Sequence, residues 1–260
     1  MSELITFTKL DDHIALLTLN RAESANALSK ALLDELNIYV KKIDQDPTVY
    51  CTIITGAGEK AFCAGADLKE RKGMNEDQVI DAVRYIGETV SNIAKMKMPV
   101  IAAMNGVAFG GGLELTLACD IRIAVDSTKF GLTETSLAII PGAGGTQRLT
   151  RLIGLGQAKR LIFTGMPVSA EEALNIGLVE QLAVQDNLQE EAVAFAKQIA
   201  KNGPIALKQA KTAIDKGIQT DLDTGLKIEN ECYRETIPTA DRLEGLAAFK
   251  EKRKPVYKGQ

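Results

Sequence analysis

The chain of 260 residues contains one histidine, His13, and that scarcity removes whole mechanisms. Ser-His-Asp and Cys-His catalysis have no base to use. His13 itself follows Asp11 and Asp12 between two strand-like runs, which reads as an exposed hairpin turn. The four cysteines, Cys51, Cys63, Cys119 and Cys232, lie far apart with no Cys-x-x-Cys pair. With so few nitrogen and sulfur ligands, no metal site is expected. Buried, reduced thiols fit a cytoplasmic protein. No apolar run reaches the roughly 18 residues of a membrane span. The N-terminus lacks a basic or apolar leader and reads as the first strand. Neither a G-x-x-x-x-G-K-[ST] loop nor a G-x-G-x-x-G after a strand occurs; Gly154-Leu155-Gly156 lacks the third glycine. A net charge of −3 argues against a generic nucleic-acid surface.

What is present is an average globular composition, 45% hydrophobic and 25% charged, enough for one large core with a small appendage. Residues 5–9 and 14–19 read as a hairpin. Ser29 caps a helix over 30–44, whose apolar positions Leu32, Leu33, Leu36, Val40 and Ile43 share one face. Short buried strands at 51–56, 100–104 and 121–125 alternate with helices, including one over 75–96, which argues for an α/β core of ββα units. From Gly142 onward the pattern becomes helical, punctuated by glycine and proline. The expected division is a core over residues 1–195 and a helical region over 196–260.

Three stretches carry candidate chemistry. In Asn105-Gly106-Val107-Ala108-Phe109-Gly110-Gly111-Gly112-Leu113-Glu114, three glycines open a buried helix that has a carboxylate in its first turn. The first amides of a helix have no internal partner, so bare N–H donors beside a carboxylate suit oxyanion stabilisation and proton transfer. An ordinary tight strand-to-helix turn fits the same residues. Phe62-Cys63-Ala64-Gly65-Ala66-Asp67-Leu68 is small enough to expose its backbone to a ligand, and equally fits a close-packed turn. The stretch from Phe130 to Thr146 holds Glu134, an apolar run, Pro141 and a glycine-rich helix start around Gly142 that could bind an anion or a water. Two carboxylates around one water can hold different protonation states. Together these groups would suit chemistry on a carbonyl or thioester.

In order and spacing, the three stretches resemble the enoyl-CoA hydratase/isomerase (crotonase) superfamily. Asn20-Arg21, Asn26-Ala27-Leu28 and the closing Phe249-Lys250-Glu251-Lys252-Arg253-Lys254-Pro255 are similar too. The resemblance implies an α/β fold, a ββα spiral core with a helical C-terminal trimerisation region, and a homohexamer built as a dimer of trimers. It implies an oxyanion hole from the N–H groups of Ala66 and Gly111, and catalysis by Glu114 on water and Glu134 on the α-carbon. Ala64, Asp67 and Leu68 would line the coenzyme A path, Gly142 would position the reacting groups, and Lys252 would reach a coenzyme phosphate. Coenzyme A would belong to the substrate, with no separate cofactor, no nucleic acid and no membrane as partner.

Both glutamates favour a hydratase over an isomerase. Phrases such as Cys-Ala-Gly-Ala-Asp-Leu-Lys-Glu-Arg are also similar to methylglutaconyl-CoA hydratases, and Ala138 replaces a glycine frequent in fatty-acid hydratases. One related branch binds RNA through lysines along the first long helix; here Lys30 is followed by Asp34 and Ile38, so that row is missing.

Overall fold

The computed structural model describes residues 3–10 and 13–260. Met1 and Ser2, and the Asp11–Asp12 part of the expected hairpin turn, lie outside the described residues. In chain order the strands are β1 (Ile5–Leu10), β2 (Ile14–Leu19), β3 (Cys51–Gly56), β4 (Ala61–Cys63), β5 (Val100–Met104), β6 (Val107–Phe109), β7 (Ile121–Val125), β8 (Lys129–Gly131), β9 (Val168–Ser169) and β10 (Gln181–Ala183). The helices are α1 (Lys30–Asp44), α2 (Leu68–Arg71), α3 (Glu76–Ala94), α4 (Gly111–Thr116), α5 (Gly145–Ile153), α6 (Leu155–Thr164), α7 (Ala170–Asn175), α8 (Leu188–Ala200), α9 (Pro204–Gly217), α10 (Leu222–Thr236) and α11 (Ala240–Glu251).

A six-stranded sheet runs β1-β2-β3-β5-β7-β10 and a four-stranded sheet runs β4-β6-β8-β9. The β1–β2 and β8–β9 pairs are antiparallel and every other pairing is parallel. All five residues of β5 are buried, as expected of a parallel strand covered on both faces. One face packs under α1 and α3, through Leu32, Leu36, Val90 and Ile93. The other packs under α8, through Leu188, Ala192 and Ala196. Burying each large aliphatic side chain contributes about 1.5–3 kcal/mol. The five apolar positions read on the first helix are those that α1 buries.

Local signals set the helix ends. Ser29 Oγ accepts the Leu32 N–H at the start of α1, and Asn75 with Gln78 closes a capping box on α3. His13 is exposed, stacks on Tyr50 with ring centroids 4.1 Å apart, and bonds through Nδ1 to the Thr48 carbonyl. All four cysteines are buried free thiols. Among the described residues no helix is long and apolar enough to cross a membrane.

The expected division at 195/196 lies within α8, whose Ala192 and Ala196 both pack on the main sheet. The glycine-rich helix start after Pro141 falls at Gly145, with Gly144 as its cap.

Candidate active site

The two sheets meet at the turns that hold the three sequence stretches. After β4, the Leu28 N–H donates to the Gly65 carbonyl at 2.8 Å and the Asp67 N–H to the Leu28 carbonyl at 3.3 Å. This forms an isolated parallel bridge between Leu28 and Ala66. Because Gly65 and Asp67 supply the bridge bonds, the N–H of Ala66 points away from Leu28 and has no partner among the described residues. Gly65 has φ +97°, and a Cβ there would lie 2.9 Å from the Phe109 carbonyl oxygen, so only glycine fits. Following β6, Gly110 turns the chain at φ +49° and α4 opens at Gly111. A Cβ built on Gly65 would sit 3.4 Å from Gly111 N, and one on Gly111 would sit 3.8 Å from Ala66 N. Two unpaired amides, one from each β-to-α turn, therefore adjoin the same small space. That arrangement suits an oxygen on which negative charge develops.

Glu114, 3% exposed, lies one turn into α4. Its Oε1 accepts the N–H groups of Ala143 at 2.7 Å and Gly145 at 2.8 Å. Burial raises its pKa, and the two amides with the charges of Arg148 and Arg71 only partly offset this. Glu134 starts a single 3-10 turn, Glu134–Leu137, closed by Ala138 at φ +59°. Its Oε1 lies 3.2 Å from where a Cβ on Gly110 would stand, and its Oε2 is buried with no hydrogen-bond partner. Burial, and to a smaller extent the Glu114 charge, push its pKa up to about 7, against its own backbone amide and Arg71. One carboxylate is thus anchored and the other is poised to hold or release a proton near neutrality. Both flank the glycine turn that carries one of the donors.

The other residues singled out in sequence divide. Ala64 and Leu68 are exposed beside Ala66. Asp67 is buried and its carboxylate is already committed: it pairs with Arg21 Nη1 at 2.5 Å and caps α2 through the Lys69 and Glu70 amides. Gly142 packs against Val83, where a Cβ would come within 2.5 Å of Cγ1, but the amides that grip Glu114 belong to its neighbours Ala143 and Gly145. Lys252 closes α11 in an exposed left-handed turn and makes no hydrogen bond or ion pair to either glutamate. Lys30 pairs with Asp34 and Ile38 is exposed, so the first helix has no basic row there.

Sequence reasoning missed Ala143 and Gly145, although they lie inside the glycine-rich run it flagged. It also missed Arg148, whose Nη1 donates to the Ala143 carbonyl at 2.8 Å and occupies the space a Gly144 side chain would need. Arg71 was missed as well. A cavity of about 420 Å³ lined by Leu28, Asp67, Arg71, Met74 and Ile86 adjoins the donor pair. Two further grooves measure about 710 and 720 Å³, and none of the three has Glu114 or Glu134 in its lining.

Paired backbone donors with one buried and one half-buried carboxylate on a ββα spiral define a crotonase-fold α/β protein. The chain belongs to the enoyl-CoA hydratase/isomerase family, whose model matches residues 9–260. It is 49% identical over 251 residues to human mitochondrial methylglutaconyl-CoA hydratase, covering 95% of this chain and 74% of that protein. It is 44% identical over 244 residues to the short-chain-enoyl-CoA hydratase of Clostridium acetobutylicum, covering 93% and 92%. A crystal structure of an enoyl-CoA hydratase from Bacillus anthracis superposes with a TM-score of 0.98 at 56% identity, covering 99% of this chain and all of that one.

Proposed function

We propose that the protein is a hydro-lyase that reversibly adds water to trans-2-enoyl-CoA thioesters, giving 3-hydroxyacyl-CoA. The observation that carries this reading is the pair of glutamates, Glu114 buried and Glu134 half-buried, on either side of the glycine turn that supplies one backbone donor. The thioester oxygen accepts the N–H groups of Ala66 and Gly111. Water oxygen bonds to the β-carbon while Glu114 takes one of its protons, and the π electrons move onto the thioester oxygen as an enolate. Glu134, protonated about half the time near pH 7, delivers its proton to the α-carbon as the enolate collapses. Proton return from Glu114 to Glu134 through solvent resets the site. No separate cofactor enters this scheme, because coenzyme A is part of the substrate.

Exposed Ala64 and Leu68 beside Ala66 support backbone contact with the coenzyme. Lys252 would meet a coenzyme phosphate only from a neighbouring subunit, which the exposed apolar faces of the C-terminal helices support. Ile214, Ile218, Leu222, Leu226, Leu246 and Phe249 are all exposed, and a homohexamer of stacked trimers would cover them. Four buried thiols are in keeping with a reducing cytoplasm.

The test is loss of the enoyl-thioester ultraviolet absorbance with crotonyl-CoA as substrate. Turnover by wild type that collapses in both Glu114→Gln and Glu134→Gln supports the assignment; undiminished turnover in the two variants sinks it.

A further inference from the structure

Arg71 ends the single turn of α2, whose cap, Asp67, directly follows the Ala66 donor. Its own N–H donates to the Asp67 carbonyl at 3.2 Å, and its carbonyl accepts the Met74 N–H at 3.2 Å. The backbone is therefore held, and the side chain lines the cavity of about 420 Å³. Leu28 and Ile86 share that wall. A Cβ on Gly111 would stand 3.2 Å from Leu28 Cδ1 and 3.8 Å from Ile86 Cγ2, so the cavity continues from the donor pair.

The other charges on this wall are occupied. Asp67 is paired with Arg21, Lys30 with Asp34, and Arg84 with Asp81; Glu70 accepts the Lys30 N–H at 2.9 Å. Arg71 alone among the cavity's cations has a side chain with no hydrogen-bond or ion-pair partner among the described residues. Arg71 stands one helical turn after the Ala66 donor, and its charge opposes the upward pKa shift of both Glu114 and Glu134. A guanidinium stays charged and offers a planar fork matched to a carboxylate. Leu28, Leu33, Met74 and Ile86 supply the apolar part of the wall, beside the charged side chains that are already paired.

We propose that Arg71 receives a carboxylate at the far end of the acyl chain, so that the preferred substrates are trans-2-enoyl-CoA thioesters of dicarboxylic acids. This rests on the hydratase reading for its site. The same fork could grip a phosphate of the coenzyme, and the experiment separates the two sources.

Wild type, Arg71→Met and Arg71→Lys are assayed with glutaconyl-CoA and with 5-methylhex-2-enoyl-CoA, which has the same acyl shape without the charge. The ratio of their kcat/KM values favours glutaconyl-CoA in wild type. It falls roughly 10- to 100-fold in Arg71→Met, mainly through KM, as expected for loss of a charge-assisted pair. Arg71→Lys lies between, because it keeps the charge and loses the fork. A ratio near one in wild type, or unchanged in Arg71→Met, overturns the proposal; so does an equal rise in KM for both substrates, which assigns Arg71 to the coenzyme. Calorimetric binding of the saturated glutaryl-CoA and 5-methylhexanoyl-CoA repeats the comparison without turnover. If neither enoyl thioester is hydrated but glutaryl-CoA binds more tightly through Arg71, the hydratase reading fails and the carboxylate site stands.

Discussion

At the scale of single residues, Glu114 and Glu134 differ in what surrounds them. Two amides grip Glu114, whereas one oxygen of Glu134 is buried without a partner. Replacing either by glutamine should lower kcat by roughly 10²–10⁴, read from single-turnover absorbance decay. As proton donor, Glu134 must be protonated, so hydration should fall as pH rises through about 7. Glu134→Gln should abolish that limb; a limb that persists would assign it elsewhere. The same shift bears on stability with a definite sign. The folded pKa is about 7 against an ordinary 4.5, so the folded protein binds the proton more tightly and loses stability as pH rises between those values. Glu134→Gln should therefore melt at higher temperature than wild type at pH 8, with the gain disappearing below pH 4.5. The trade of stability for a poised acid is what an active site requires.

Among the elements, the periodic ones were legible and the close approaches were not. The spacing from Leu32 to Ile43 specifies α1 because a helix stripe recurs in the sequence itself. The chain around Pro141 offers helix-start chemistry two turns of sequence in a row, and only packing against Val83 and Arg148 decides that α5 opens at Gly145. Arg71 and Arg148 were invisible for a related reason: a lone arginine has no pattern, and its meaning lies in what a distant segment brings beside it. The two carboxylates were legible as types, but their shared glycine turn is a product of β6 and β8 pairing. Glycines of one kind in sequence also separate sharply in space. A Cβ on Gly112 would collide with the Cys63 carbonyl, whereas one on Gly156 meets nothing within 4 Å. Gly112→Ala should push α4 off β4 and destroy activity, with destabilisation seen in urea titration. Gly156→Ala, inside α6, should add about 0.5–1 kcal/mol in the same titration.

Over the whole molecule, the core and the C-terminal helices differ in how much apolar surface they leave open. Phe249 is 87% exposed and Leu222 76%, values that a lone copy would hold at the risk of aggregation. On the reading that other subunits cover these faces, the protein sediments as an oligomer. Leu246→Asp combined with Phe249→Asp should shift it to smaller species while its far-ultraviolet circular dichroism is retained. Monomeric wild type by sedimentation would refute the covering role.

The lone bridge between Leu28 and Ala66 has a consequence for solvent isotope labelling. The Leu28 and Asp67 amides are tied to each other's segments, while the Ala66 amide between them is left bare. In deuterated buffer the bare amide should label far sooner than its two neighbours, and an acyl-CoA held in the site should slow that one amide most. A single backbone proton would then report occupancy, in a stretch of chain whose side chains are too small to report anything.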